Sequence, residues 1–268
     1  LLPTYDAFRL VRPIGNGRTR PLLIECESTD DSGVPISEFV VKAPGLPEVE
    51  DYGLFAECLG YLLAPEFDVV VSQPALIRIT DDFVHAVNPV LRSEGLSLKA
   101  GIGFGSEYLG SGLVPVSADM TLDAEQLSAA FNLYCYDLLI QNPDRLERNP
   151  NCLVKEGRII AFDFNLAFTF LMLIGGNDEP WKVSEHQKKV SEHQKLEKHL
   201  FYRALKGKAL EFKPFITRVE RFSPERLADM LAVIPFGDGR WDAKVNDHFS
   251  ALIEHSADLE LELARSLV

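Results

Sequence analysis

Asp163 stands inside an apolar stretch, between Phe162 and Phe164 and directly after Ile159-Ile160-Ala161. A carboxylate set among such side chains is costly unless a cation or a hydrogen-bond network compensates it. Any fold open to this chain must therefore bring a partner to Asp163. A second polar group lies just upstream, in Asn142-Pro143-Asp144-Arg145-Leu146-Glu147-Arg148-Asn149-Pro150-Asn151. An acid is followed five residues later by an amide, then by a short hairpin, then by the second acid. Hard oxygens of these types hold magnesium, and one carboxylate can orient or accept the proton of a hydroxyl. Asn-Pro-Asp is also a turn-forming sequence, so Asp144 read alone is equally a turn residue. Asp163 tips the balance toward chemistry.

The chain before this segment reads mainly as strands. Ala7–Ile14, Pro21–Cys26 and Phe39–Lys42 are strand-like, with Gly15-Asn16-Gly17 as a turn between the first two. That order suggests an antiparallel sheet. Tyr52, Phe55, Leu59, Leu62 and Leu63 recur at helical spacing and end at Pro65. Ala75–Ile79 and Phe83–Val87 read as two more strands, and the Gly-rich Gly101–Gly112 as a connector between lobes.

Beyond it the pattern is mostly helical. Asp123 and Gln126 make a capping box ahead of a stripe formed by Leu127, Ala130, Phe131, Tyr134 and Leu138. The helix is expected to stop near Gln141, before Asn142-Pro143. Cys152–Val154 and Arg158–Phe162 form a hairpin around Lys155-Glu156-Gly157. Ser223-Pro224 opens a later helix, and a last one runs from about Trp241 toward the C-terminus.

The 268 residues carry 27 basic and 40 acidic side chains, a net charge of −13, which counts against a nucleic-acid binder. No apolar run reaches the ~20 residues that span a bilayer. Cys26, Cys58, Cys135 and Cys152 are widely spaced among apolar neighbours and read as reduced core thiols of a cytoplasmic protein. The chain opens at Leu1 with neither Met nor a basic leader, which reads as an internal fragment with no signal peptide in view. Lys182–Lys188 and Lys189–Lys195 are the same heptapeptide, KVSEHQK. It reads as a polar helix with Val183 and Val190 on one face and His186 and His193 on that same side, and two histidines alone are weak grounds for a metal site.

The Asp144–Asn151 loop with Asp163 resembles the catalytic and metal-binding loops of HipA-like kinases, and more distantly those of phosphoinositide and protein kinases. The resemblance implies an α+β, two-lobed, protein-kinase-like fold. An N-terminal antiparallel sheet lobe with one helix would span residues 1–106, and a mainly helical lobe with the catalytic and metal-binding loops residues 107–268. It makes Asp144 the catalytic Asp, and Asn149, Asp163 and Asn151 the magnesium ligands. Lys42 resembles the strand lysine that holds the ATP phosphates and Glu57 its ion-pair partner. Gly15, Gly17 and Thr19 match the Gly-rich turn, while Glu107 and Leu109 fall where a hinge would meet adenine through its backbone. The implied activity is transfer of the γ-phosphate of ATP, with magnesium, to a Ser or Thr hydroxyl of a protein, in a cytoplasmic setting that includes toxin–antitoxin systems. Leu146 and Asn165 depart from the family's His and Gly, and they support the alternative of a degenerate kinase acting as a nucleotide-binding or protein-interaction module.

Overall fold

Short β-branched and aromatic runs separated by turns build the first part of the chain into a sheet. The computed structural model describes residues 2–15, 18–29, 36–172, 179–189, 191–192 and 195–268. They fall into two units. One comprises Leu1–Cys58, Ser72–Gly110 and Val233–Gly237, the other Leu59–Val71, Ser111–Ala232 and Asp238–Val268.

The first unit holds β1 (Thr4–Pro13), β2 (Leu22–Ser28), β3 (Ser37–Lys42), most of α1 (Asp51–Leu63), β4 (Pro74–Ile79), α2 (Asp81–Leu91) and β5 (Gly101–Glu107). The strands close into a barrel in the order β1-β2-β3-β5-β4. The expected antiparallel pairing holds for β1–β2, β2–β3, β3–β5 and β4–β5, but β4 meets β1 in parallel. A strand reached through a helix is free of the hairpin constraint and can arrive in either direction. Leu22, Ile24, Val41, Ala75 and Ile77 fill the interior.

Two readings of this region are corrected. Phe83–Val87, expected as a strand, lies in α2: Thr80 Oγ1 accepts from the Phe83 amide at 3.2 Å, Asp81 and Asp82 occupy the first turn, and Phe83, Val87 and Leu91 form one buried stripe. This unit therefore carries a second helix besides α1. Gly101–Glu107, expected within a connector, is β5, between β3 and β4 in the sheet. Its glycines serve close packing. A Cβ on Gly105 would lie 2.7 Å from Ile77, and one on Gly103 would lie 2.7 Å from the Lys42 carbonyl oxygen.

The second unit is mainly helical. It contains β6 (Val114–Pro115), α3 (Ala124–Leu139), β7 (Cys152–Lys155), β8 (Arg158–Ala161), α4 (Val183–Lys189), α5 (Tyr202–Leu205), α6 (Lys213–Arg221), α7 (Pro224–Ala232), α8 (Asp242–Glu254) and α9 (Ser256–Ser266). The Asp123–Gln126 capping box is formed, and β7–β8 is the expected hairpin, with β6 added at its edge. Ser223 caps α7 through a 3.1 Å bond from the Arg226 amide. The expected last helix is two, α8 and α9, divided at His255. α4 covers all of the first copy of the heptapeptide but Lys182, whereas Val190 and His193 of the second lie outside the described residues.

All four cysteines are buried free thiols. Among the described residues no helix is long and apolar enough to cross a membrane.

Candidate active site

In the first unit, β3 ends at Lys42 and α1 carries Glu57. Lys42 Nζ lies 2.9 Å from Glu57 Oε2, and both side chains are buried. Removing two charges from water costs as much as their attraction returns, so a buried ion pair is weak grounds for stability and fits a functional demand better. Gly15 adopts a φ of +59°, as the β1–β2 turn requires, and that turn is closed by a 2.7 Å bond from the Ile14 amide to the Pro21 carbonyl. Thr19 is buried in it, while Gly17 lies outside the described residues. Glu107 ends β5. Its amide is donated to the Gln73 carbonyl at 2.9 Å, and the next amide, of Tyr108, to the Glu38 carbonyl at 2.8 Å. The Glu107 N–H is thus already used by the barrel, and Leu109 follows two residues later, half-buried.

The second unit gathers Asp144, Asn149, Asn151 and Asp163. Asn149 Nδ2 donates to Asp144 Oδ2 at 2.7 Å, and Asn151 Nδ2 donates to the same oxygen at 3.1 Å. The turn role weighed for Asp144 belongs instead to Asn142, whose Oδ1 accepts from the Asp144 amide at 3.2 Å. Burial lifts the Asp144 carboxyl above its usual range; the Asn149 bond opposes this, and the neighbouring Asp163 charge adds to it. Asp163 is half-buried and follows β8, which ends at Ala161, so the carboxylate stands just past the strand rather than in it. Its φ is +61° and that of Asn151 is +46°, left-handed conformations that Asp and Asn tolerate better than most residues.

Phe164 anchors this turn from below. It is fully buried, edge-on to Tyr61 at 5.4 Å and to Tyr136 at 5.9 Å. Gly60 makes room for it, since a Cβ there would lie 2.6 Å from the Phe164 Cβ.

The residues present suit a hard divalent cation. The Asp163 charge adds to the raised proton affinity of Asp144, and a carboxylate in that position gains from a nearby positive charge. Both amide nitrogens point at Asp144, which leaves their oxygens as ligand atoms. Among the described residues no group of three or more His, Cys, Asp or Glu is gathered for a metal, so a site here must draw on amide oxygens.

Reading by motif misses the residues that fasten this loop. Arg145 is completely buried. It donates through Nε to Asp137 Oδ2 at 2.6 Å and through Nη1 to the carbonyls of Asn151 and, at 3.4 Å, Phe162. Its guanidinium also lies 5.2 Å from the Phe164 ring centroid. One cation thus ties the loop before β7 to the turn after β8. Burial works against ionisation of Asp137, but Arg145 and His199 outweigh it and hold its carboxyl below the usual range. The signal that singles out Asp163 also marks Asp137, an acid set between Tyr134-Cys135-Tyr136 and Leu138-Leu139.

The family model of the HipA-like kinases matches residues 8–174, well over half of the chain, from within β1 to beyond Asp163. The chain belongs to the HipA-like kinase family. That membership supports a kinase, and hence a phosphotransferase, on a mixed α+β scaffold with a sheet unit and a helical region. No curated protein matches this HipA-like kinase in sequence. Among solved structures, a Helicobacter pylori proinflammatory kinase, CtkA, is similar at 15% identity, covering 98% of each chain with a TM-score of 0.49.

Proposed function

We propose that this HipA-like kinase is an ATP- and magnesium-dependent phosphotransferase that delivers the γ-phosphate to a Ser or Thr hydroxyl of a protein. The N-terminal, nucleotide-binding lobe is taken as residues 1–106, most of which belong to the barrel unit, and the catalytic lobe as residues 107–268, most of which belong to the helical unit. The observation that carries the reading is Asp144 Oδ2 held at 2.7 Å and 3.1 Å by the amides of Asn149 and Asn151, within the field of Asp163.

Each residue then has a definite task. Lys42 binds the nucleotide phosphates, and Glu57 fixes the ammonium in place. Asp144 orients the acceptor hydroxyl and takes up its proton. A carboxyl with a raised proton affinity is a better acceptor than an ordinary one. Asn149, Asn151 and Asp163 hold magnesium, which when bound neutralises charge on the phosphates. Gly15, Gly17 and Thr19 cover the phosphates, and the 107–109 stretch offers backbone groups to adenine.

Incubation of the full chain with labelled ATP and magnesium, with generic Ser/Thr protein acceptors, tests the reading. Label should pass to the chain or to an acceptor. If ATP binds and no label moves, the chain is a nucleotide-binding module. Asp163→Asn is the matching variant, because Asn removes the charge yet still accepts a positive φ. By calorimetry, magnesium should strengthen ATP binding in the parent, and that gain should fall about tenfold or more in the variant. An undiminished gain would remove Asp163 from the metal site.

A further inference from the structure

The loop that carries Asp144 is tied to a segment far along the chain. Asp137, fully buried near the end of α3, collects side-chain donors from three residues: Asn142 Nδ2 at 2.7 Å, Arg145 Nε at 2.6 Å with Nη2 at 3.4 Å, and His199 Nε2 at 3.1 Å. Two of them belong to the loop. The third comes from just beyond the duplicated heptapeptide. Residues 198–200 run beside the loop like a short strand. The Leu200 amide donates to the Arg145 carbonyl at 3.1 Å, the Glu147 amide to the Lys198 carbonyl at 3.3 Å, and Leu146 and His199 form an antiparallel bridge.

The imidazole is held in one orientation. Phe201 donates its amide to His199 Nδ1 at 3.2 Å, so the ring proton sits on Nε2 and points at Asp137. Tyr134 closes the ring edge-on at 4.9 Å, and the ring is buried. Charge balance does not require this histidine, because Arg145 already neutralises Asp137. What His199 adds is the 198–200 segment, docked on the same carboxylate that receives Asn142, whose Oδ1 in turn holds the Asp144 amide.

We propose that His199 is a positioning residue of the phosphoryl-transfer centre, holding the 142–151 loop in register by docking the 198–200 segment on Asp137. The proposal rests on the reading of Asp144 given above. Leu146, which stands where the family's loop histidine is expected, occupies the backbone position that pairs with His199. The segment following the heptapeptide thereby becomes part of the active site without touching substrate.

His199→Ala and His199→Gln in the full chain test it, with phosphate transfer, thermal melting and amide exchange over residues 142–151 measured for each. Asp137 keeps Asn142 and Arg145 in both variants. In His199→Ala, turnover at saturating ATP should fall about 10- to 100-fold, the usual cost of a misplaced reacting group. The KM for ATP should stay within about twofold, because no phosphate-binding residue is altered. Exchange at 144–149 should quicken. Gln restores a donor toward Asp137 and should return rate and exchange toward the parent. The proposal is overturned if the Ala variant matches the parent in both rate and exchange. It is equally overturned if Gln loses as much rate as Ala while melting like the parent. Should Ala not fold, Gln decides alone: parental rate and exchange support the proposal, and lost rate with parental melting ends it. Should the parent itself transfer no phosphate, the proposed function fails, and amide exchange in the Ala variant then decides the positioning role by itself.

Discussion

Asn149 donates its side-chain amide to Asp144 Oδ2 at 2.7 Å, across five residues of one loop. The bond orients both groups. The bond uses one carboxylate oxygen of Asp144 and the amide nitrogen of Asn149, so the proposed roles fall to the other carboxylate oxygen and to the amide oxygen. In the proposed function, one contact thus sets both the catalytic oxygen and a ligand oxygen.

Asp144→Asn should separate binding from chemistry. The substitution keeps size and leaves in place the backbone amide that closes the turn on Asn142, and it removes the proton acceptor. Phosphate transfer should fall by roughly 10²–10⁴-fold, the range for a lost general base. ATP affinity should hold within about twofold, since the group acts chiefly in the transition state. Single-turnover transfer beside calorimetric titration checks both halves. Parental transfer by the variant would return Asp144 to a structural role.

The Lys42–Glu57 pair should behave as a functional rather than a stabilising contact. Lys42→Met alone removes the cation that faces the buried Glu57 carboxylate and should cost about 3–5 kcal/mol in chemical denaturation. Adding Glu57→Leu should recover most of that loss, because an apolar pair of similar volume suits the buried site. ATP binding should be lost in both variants. A double variant that binds ATP like the parent would exclude Lys42 as a phosphate ligand.

Gly60→Ala should act on the site through Phe164. The added methyl would lie 2.6 Å from the Phe164 Cβ, so the ring or the helix must shift. A stability loss of about 1–3 kcal/mol is expected from overpacking. The magnesium-dependent part of ATP binding should weaken as well, because Phe164 is bonded directly to Asp163. Lost stability with an unchanged magnesium response would show that the Phe164 anchor does not govern Asp163.

Acid should destabilise the chain through His248 well before its carboxylates titrate. Burial pushes this imidazole down to about 4; its Nε2 donates to the Leu139 carbonyl at 2.9 Å, and its ring stacks on Phe170 at 3.8 Å. A folded value below the unfolded one, about 6.5, means that the unfolded chain takes up the proton first as pH falls. The contribution is intact above the unfolded value and is lost as pH drops from there toward the folded one. Between pH 7.5 and 5 this amounts to about 2 kcal/mol. Burial moves His199 in the same direction. Denaturation of the parent and of His248→Phe at the two pH values tests it, with a shallower loss expected in the variant. Equal slopes would assign the acid sensitivity elsewhere.

The local part of this protein was legible in the order of its residues. Barrel strands β1 to β4, α1, α3 with its capping box and the β7–β8 hairpin follow from periodicity and caps, which are properties of neighbouring residues. Asp144, Asn149 and Asp163 stand out because each conflicts with its local surroundings or completes a short spacing. Where sequence reading went astray, packing outweighed composition. Phe83–Val87 is apolar enough for a strand, but its buried stripe and the Thr80 cap make it α2. The Gly101–Glu107 stretch resembles a connector until Ile77 and the Lys42 carbonyl are brought close enough to need glycine. The parallel closure of β4 on β1, the placement of Arg145 beneath two loops and the reach of His199 to Asp137 across 62 residues are contacts between distant parts of the chain. No local pattern encodes them. Tertiary structure decides them, because a buried charge accepts whichever partner the fold delivers.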